Sequence, residues 1–159
     1  MDNFFMFKLT YGLYVLTAKE GDFQNGCIID AAMQVTDTPL RLCIAVNKLN
    51  KTCEMIENTE QFNLSVLTDK TAFEVFAHFG FQSGRDVDKL SGWGFKKTAA
   101  NGIVYLTGCT NAYLSCKVVN KTDLGTHILF LSDVISGEVL SDEPSVTYSY
   151  YQNNIKKRV

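Results

Sequence analysis

Three polar segments of this sequence have residue types and spacing suited to binding a phosphorylated, ring-containing molecule. The first, residues 47–52, reads Asn-Lys-Leu-Asn-Lys-Thr and follows an apolar run. A helix that begins at Asn50 would direct unpaired backbone N–H groups and the positive end of its dipole at an anion. Three side chains could complete a phosphate cradle: Lys48, Lys51 and Thr52. A solvent-exposed helix start with two surface lysines explains the same residues.

The second segment, residues 25–36, is a strand candidate with small or polar residues where a barrel core would have Val or Leu. Small side chains let a flat ring approach the backbone, and strand N–H and C=O groups can pair with the polar edge of a heterocycle, as flavin and pterin sites require. A bulged strand that begins at the Asn25-Gly26 turn is the alternative interpretation.

The third segment, residues 83–89, reads Ser-Gly-Arg-Asp-Val-Asp-Lys. Gly84 permits close approach to the backbone, while Ser83 and Arg85 supply donors for phosphate or carbonyl oxygens. Asp86 could orient the Arg85 guanidinium. A plain charged loop is the alternative. Three flanking apolar residues favour an anchored loop: Phe79, Phe81 and Leu90.

Few other residues suggest chemistry. His127, at a turn before the last long strand, could donate to a ring or a nicotinamide amide, although a hydrogen-bonded surface or core histidine is the alternative. The sequence has no Ser–His–Asp order, His-Glu-x-x-His, Walker loop or Gly-x-Gly-x-x-Gly after a strand, which disfavours hydrolysis, phosphoryl transfer and a Rossmann site. Five cysteines without a Cys-x-x-Cys pair, and two distant histidines, predict no bound metal.

Composition predicts one soluble, cytoplasmic domain over residues 1–159. A chain of 159 residues with 46% hydrophobic content can bury one sizeable core. A net charge of −2 and a pI near 5.6 give no broad positive field for nucleic acid or anionic lipid. No apolar run reaches membrane-spanning length, the N-terminus does not resemble a secretory leader, and an odd number of cysteines fits reduced thiols.

These segments must be positioned by a mainly β domain with inserted helices. Apolar, β-rich runs predict strands at residues 13–18, 26–35, 41–46, 62–67, 103–106, 112–119 and 127–140. A helix capped by Asn50 is expected to about residue 58, and a second one, capped by Asp69, to Gly80. Because no strand–helix–strand rhythm persists, we predict a closed antiparallel β-barrel.

Taken together, the segments resemble the flavin reductase-like, FMN-binding split-barrel family, and most closely its branch that is often fused to rubredoxin. The resemblance spans nearly the whole chain and depends on the order and spacing of its motifs. These are residues 11–18, 25–28, 34–36, 47–48 with 52, 79–81 with 83–89, 116–119, 125–127 and 147–151.

The resemblance implies a homodimer of split β-barrels that holds FMN non-covalently near the subunit interface. NADH or NADPH would reduce the FMN, and electrons would pass to free flavin or to a protein acceptor such as rubredoxin. Because the sequence lacks the cysteine pairs of a rubredoxin module, that rubredoxin would be a separate protein. A non-catalytic FMN carrier or storage protein is the alternative function.

The resemblance also assigns residues. The ring and ribityl chain would contact Asn25, Gly26, Cys27, Gln34, Val35 and Thr36. The phosphate would be held by Asn47, Lys48, Lys51, Thr52, Ser83, Gly84 and Arg85, with Asp86 orienting Arg85. His127 would lie near the nicotinamide, although Thr126 replaces the aspartate of the family's Gly-Asp-His. Asp30 stands where an uncharged polar residue is commoner, and a carboxylate facing the flavin would disfavour its anionic reduced form.

Overall fold

The computed structural model describes residues 1–157, which form nine strands and three α-helices. The strands are β1 (Tyr14–Glu20), β2 (Phe23–Ile29), β3 (Ala32–Thr36), β4 (Arg41–Asn47), β5 (Gln61–Leu67), β6 (Lys96–Thr98), β7 (Val104–Leu106), β8 (Thr110–Asp123) and β9 (His127–Val139). The helices are α1 (Lys51–Thr59), α2 (Phe73–Gly80) and α3 (Tyr148–Tyr150), with a 3-10 helix at Asn3–Lys8 and a π-helical turn at Tyr151–Ile155.

Seven strands form one antiparallel sheet in the order β2-β1-β5-β8-β9-β4-β3, and β6 pairs with β7 separately. The prediction of a mainly β, antiparallel fold with inserted helices is confirmed. Closure of the barrel stays a prediction, because β2 and β3 end the sheet and have no mutual pairing among residues 1–157.

The two edges of the sheet nevertheless meet at one point. Residues 26–35, predicted as one strand, divide between β2 and β3, and only Asp30 and Ala31 connect them. Three Cα-to-Cα steps reach at most about 11 Å, so the sheet must curl until its edges come together here. The Ala45 N–H donates to the Ala31 carbonyl over 3.0 Å and fixes this connection against β4.

Alternating residues of the strands pack into two cores, one on each face of the sheet. The first lies between the curled sheet and α1 and includes Leu16, Ile44, Phe62, Leu64 and Phe130 with Cys53, Met55 and Ile56 of the helix. The second lies under α2 and β7 and includes Val15, Leu67, Phe76, Phe79 and Leu106. Helices α1 and α2 are therefore held by packing against opposite faces of the sheet.

The helix starts differ in how well local sequence predicts them. The Asn50 side chain accepts from the Thr52 N–H at 3.3 Å, so the predicted cap of α1 is confirmed. Asp69 as the cap of α2 is wrong: α2 begins after Ala72, which makes no side-chain cap bond. Residues 68–71 instead form a turn closed by the Thr71 N–H on the Thr68 carbonyl, and the Asp69 N–H is bound to the distant Pro144 carbonyl.

Candidate functional site

A polar cavity of about 350 Å³ lies where β4 ends and α1 begins, against the turn that follows α2. It is lined by Asn47, Leu49, Asn50, Gly80, Phe81, Gln82 and Ser83. The Asn47 side chain is exposed and accepts from the Leu49 N–H at 2.9 Å, which orients it at the cavity mouth. The first and third polar segments of the sequence thus meet at one cavity.

Asn25 forms the support beneath this cavity. Its side chain is fully buried and its Nδ2 donates to the Thr52 hydroxyl over 2.9 Å. A Cβ added at Gly84 would collide with the Asn25 carboxamide, so the loop backbone lies directly on Asn25. The Asn25 Oδ1 is buried without a hydrogen-bond partner among residues 1–157. A strand, a helix start and a loop therefore converge on one amide that retains an unused acceptor.

The cations near the cavity are paired with carboxylates. Glu54 accepts from Lys51 at 2.9 Å and pairs with Arg85 at 2.8 Å, and Lys48 pairs with Asp123 at 2.6 Å. The bonds from Lys51 and then Arg85 hold the pKa of the Glu54 carboxyl below its usual value. The partner of the Arg85 guanidinium is thus Glu54 of α1, a correction to the role predicted for Asp86, the next residue in the chain.

Gly26 and Cys27 of β2 lie in the interior and do not line the polar cavity, which is a correction to the ring contacts predicted for them. A Cβ at Gly26 would lie 3.2 Å from the Thr17 methyl and 3.3 Å from the Phe79 ring. Cys27 is 1% exposed, and burial raises the pKa of its thiol to about 11. The Cys27 thiol therefore stays protonated near neutral pH, so that it packs as a small apolar group.

An apolar cavity of about 390 Å³ lies at the connection between β2 and β3. Small and apolar residues dominate its lining: Leu9, Thr10, Tyr11, Gly12, Tyr14, Asp30, Ala31, Ala32, Met33, Cys43, Ala45 and Leu129. Asp30 is its charged residue. Burial, and secondarily the Asp30 carboxylate, raise the pKa of the Tyr14 hydroxyl. Both cavities fall in the range of about 300–1,000 Å³ that ligand pockets occupy.

The two cavities adjoin along the outward face of β4. Cys43, Ala45 and Asn47 alternate with buried residues of that strand, so they share one face. Ala45 lines the apolar cavity and Asn47 the polar cavity. Two strand residues span only about 7 Å, so a flat ring carrying a phosphate on a short chain could occupy both cavities.

His127 lies on the same face, because it is in register with Asn47 across β4 and β9. Its Nδ1 is 2.8 Å from the Thr126 hydroxyl. Its Nε2 has no hydrogen-bond partner among residues 1–157, although His127 itself lines neither cavity.

Gln34, Val35 and Thr36 are not brought to either cavity. They are exposed on β3. Gln34 is in register with Leu42 of β4. Leu42 is five residues from Asn47 along that strand, which is about 17 Å. The Gln34 amide donates to the Thr36 carbonyl at 3.3 Å, so their polar groups partly satisfy each other.

The segment 25–36 was predicted to approach a ring and Asp30 was singled out, but the site residues predicted from the sequence include no residue of this cavity, and nothing indicated Cys43, Ala45 or Leu129. The available signal was the Ala31-Ala32 pair inside residues 25–36, where small side chains permit ring approach. The site assignment instead fell on the two ends of that segment.

Residues 1–157 contain neither a metal cluster nor a membrane-spanning helix. No group of three or more His, Cys, Asp or Glu side chains there could hold a metal ion. In the same part of the chain, no helix is long and apolar enough to cross a bilayer.

Sequence comparison relates the chain to two curated proteins. It is 38% identical over 151 residues to a high molecular weight rubredoxin of Moorella thermoacetica, covering 95% of this chain but only 66% of that protein, slightly under two thirds of its length. It is 32% identical over 151 residues to a ferric-chelate reductase (NAD(P)H) of Archaeoglobus fulgidus, covering 95% of this chain and 89% of that protein.

Solved structures share the fold. An FMN-binding protein of Thermus thermophilus superposes with a TM-score of 0.78 at 18% identity, over 88% of this chain and 82% of that one. An NADH:FAD oxidoreductase of Streptomyces globisporus superposes with a TM-score of 0.79 at 21% identity, over 89% and 83%.

The family described as "Flavin reductase like domain" matches residues 6–157, which is nearly the whole chain. The resemblance inferred from the motifs is confirmed, and the chain belongs to the flavin reductase-like domain family.

Proposed function

We propose that this chain is an FMN-dependent oxidoreductase, which binds FMN non-covalently across the two cavities and oxidises NADH or NADPH. The observation that carries the proposal is the adjacency of a polar and an apolar cavity on one face of β4. FMN has the matching parts, a flat ring and a phosphate joined by a short polar chain. The ring accepts a hydride and passes electrons on, which is chemistry that the protein itself does not supply.

The phosphate end belongs at the polar cavity in this proposal. Among the first three N–H groups of α1, those of Thr52 and Cys53 are bound to the Asn50 side chain and carbonyl, which leaves the Lys51 N–H for an anion. Ser83 and Asn47 add side-chain donors or acceptors at the wall, while Lys48, Lys51 and Arg85 contribute charge around it. Because each of these cations has a carboxylate partner, bound phosphate would share or replace those partners.

The support under the cavity suits a bound ligand as well. The buried Asn25 Oδ1 has no hydrogen-bond partner in the described part of the chain, so a small shift of the Gly84 loop on ligand binding could supply an N–H to it. An unsatisfied buried acceptor destabilises the protein, and its satisfaction would add to ligand affinity. Asn25, Thr52 and Gly84 therefore act as positioning residues rather than as contacts.

The ring end belongs at the apolar cavity. Gly12, Ala31, Ala32 and Ala45 leave room for a flat group against the backbone. Asp30 lines the same cavity, so its carboxylate opposes extra negative charge on a ring bound there. His127, on the same face, would orient the nicotinamide amide by hydrogen bonding through Nε2.

Electrons would pass from the reduced protein to a separate acceptor. The names of the two curated relatives indicate the chemical classes to test, a rubredoxin and a ferric chelate. Free flavin is the third class. All five cysteines are free, as expected of a protein in the reducing cytoplasm that we propose for it.

We also propose that the chain works as a homodimer of split barrels. Phe4, Phe5 and Phe7 of the 3-10 helix are 72%, 52% and 60% exposed, and Met33 is 62% exposed beside the apolar cavity. Contiguous exposed apolar residues mark interaction surfaces. A second copy over this surface would also shield the ring from water. Sedimentation of the wild type and of a Phe5→Ser, Phe7→Ser variant tests this, and a monomeric wild type would contradict it.

The decisive experiment for the function has two stages. Flavin-free protein is titrated with FMN, FAD and riboflavin, and we expect FMN to bind most tightly. The FMN-loaded protein is then mixed with NADH or NADPH without oxygen, and the flavin absorbance is followed. Bleaching much faster than that of free FMN supports the oxidoreductase. Tight FMN binding with no acceleration would identify an FMN carrier, and no flavin binding would exclude both functions.

A further inference from the structure

A buried lysine lies behind the polar cavity. Lys89 is 2% exposed, and its Nζ donates to the Gly26 and Phe79 carbonyls over 3.0 Å each. Its own carbonyl accepts from His78 Nε2 at 2.6 Å. Lys89 thus ties the end of the 83–89 loop to β2 and to α2.

The charge of Lys89 has no carboxylate partner within 4.0 Å in the part of the chain that the structure describes, whereas Lys48, Lys51 and Arg85 each have one. Moving an ammonium out of water is costly unless charge or strong hydrogen bonding compensates it. Two carbonyl dipoles compensate it only in part, because burial still holds the pKa of Lys89 below its usual value.

The two carbonyls connect Lys89 to the polar cavity. Gly26 is the neighbour of Asn25, which supports the start of α1 through Thr52. Phe79 is the neighbour of Gly80, which lines the cavity. The ammonium is therefore bound to backbone one residue away from the cavity lining at Gly80 and from Asn25, and protein rather than water surrounds it.

We infer that Lys89 is the buried counter-charge for the phosphate of a flavin in the polar cavity, and that it determines the preference for phosphorylated over unphosphorylated flavin. This inference rests on the proposed function. Lys89 acts without touching the ligand, since both groups it contacts are backbone carbonyls. A charge in a low-dielectric interior acts on an anion more strongly than a hydrated surface charge does.

Lys96 provides a matched control. Its Nζ also donates to two carbonyls, those of Leu90 at 2.8 Å and Trp93 at 2.6 Å, but neither acceptor lines the polar or the apolar cavity. Lys→Met at either position removes the ammonium and keeps the aliphatic stem. Both variants should lose some stability, because each loses two hydrogen bonds to carbonyls. Only the variant at Lys89 should lose phosphate recognition.

The experiment measures dissociation constants of FMN and riboflavin for the wild type, Lys89→Met, Lys89→Gln and Lys96→Met, with circular dichroism as the check of folding. We expect Lys89→Met to lose about tenfold in FMN affinity, with riboflavin nearly unchanged. Lys96→Met should keep the wild-type ratio of the two constants. Lys89→Gln retains a donor for one carbonyl but carries no charge. It should therefore lose the preference for FMN over riboflavin as well.

Two results would overturn the inference: a wild-type ratio of the FMN and riboflavin dissociation constants in Lys89→Met, whether or not both affinities fall, or a wild-type ratio in folded Lys89→Gln. If Lys89→Met does not fold, Lys89→Gln decides the question alone. A wild type that binds neither flavin would refute the proposed function itself, which is a distinguishable outcome.

Discussion

The polar and apolar cavities differ in how the chain builds them. The polar cavity comes from two short stretches, residues 47–50 and 80–83, and its key device is a helix start. The apolar cavity draws on four separate stretches, around residues 9–14, 30–33, 43–45 and 129, that only the curled sheet brings together. The lining of the polar cavity thus comes from two short stretches, whereas the space in the apolar cavity depends on sheet register.

Filling the apolar cavity should have the largest effect. Ala45→Phe places a ring where the two cavities adjoin, and we expect FMN affinity to fall about 100-fold, or about 2.7 kcal/mol. Fluorescence titration measures the affinity. The control is Val119→Phe, at an exposed position of β8 that lines neither cavity, which should bind FMN normally. Unchanged affinity in Ala45→Phe would remove the apolar cavity from the site.

Disturbing the support of the polar cavity should have the next largest effect. Gly84→Ala forces its new methyl group against the Asn25 carboxamide, so we expect about 1–3 kcal/mol less stability and about tenfold weaker FMN binding. Thermal unfolding and FMN titration measure these. Gly94→Ala is the matched control, because a Cβ there meets nothing within 4 Å. Equal behaviour of both variants would show that the loop does not depend on Asn25.

Removing a competing carboxylate should strengthen binding at the polar cavity. Glu54→Gln frees Lys51 and Arg85 from their shared partner and removes one negative charge, so we expect FMN to bind about threefold to fivefold more tightly at low salt. Riboflavin affinity should not change. Glu57→Gln, on the same helix but paired with Lys121, is the control. Weaker FMN binding would mean that Glu54 serves mainly to orient Arg85.

The smallest expected effect is electronic and belongs to the apolar cavity. Asp30→Asn should make the reduction potential of bound FMN more positive by about 5–10 mV, because a carboxylate beside the ring opposes its anionic reduced form. The same substitution should lower the pKa of Tyr14 toward its usual value, although burial, the larger cause of its rise, persists. Anaerobic redox titration and ultraviolet titration of the phenol measure the two changes. An unchanged potential would place the ring away from Asp30.

What the sequence predicted follows the same division between the cavities. The Asn50 cap, the start of α1 and the Gly80 stop of α2 were predictable because backbone capping involves residues only a few positions apart. The Asp69 cap failed although it used the same rule, because residues 68 and 69 are bound to Cys109 and Pro144, far along the chain.

Tertiary pairing explains the remaining differences. The break between β2 and β3 depends on which partner strand each half has, and the contact of Ala45 with Leu129 depends on the register of β4 against β9. The pairing of Arg85 with Glu54 joins residues 31 positions apart, whereas local reasoning found only Asp86. The hydrophobic pattern of one strand indicates which face is buried but not which distant strand pairs with it, so these features required the structure.

The claim that one ligand spans both cavities is tested most directly by hydrogen exchange of the backbone with and without FMN. We predict that FMN slows exchange together in residues 30–33, 43–47 and 80–86, and that riboflavin protects residues 30–33 with much less effect on 80–86. Protection by FMN at only one of the two cavities, or at neither, would contradict the account.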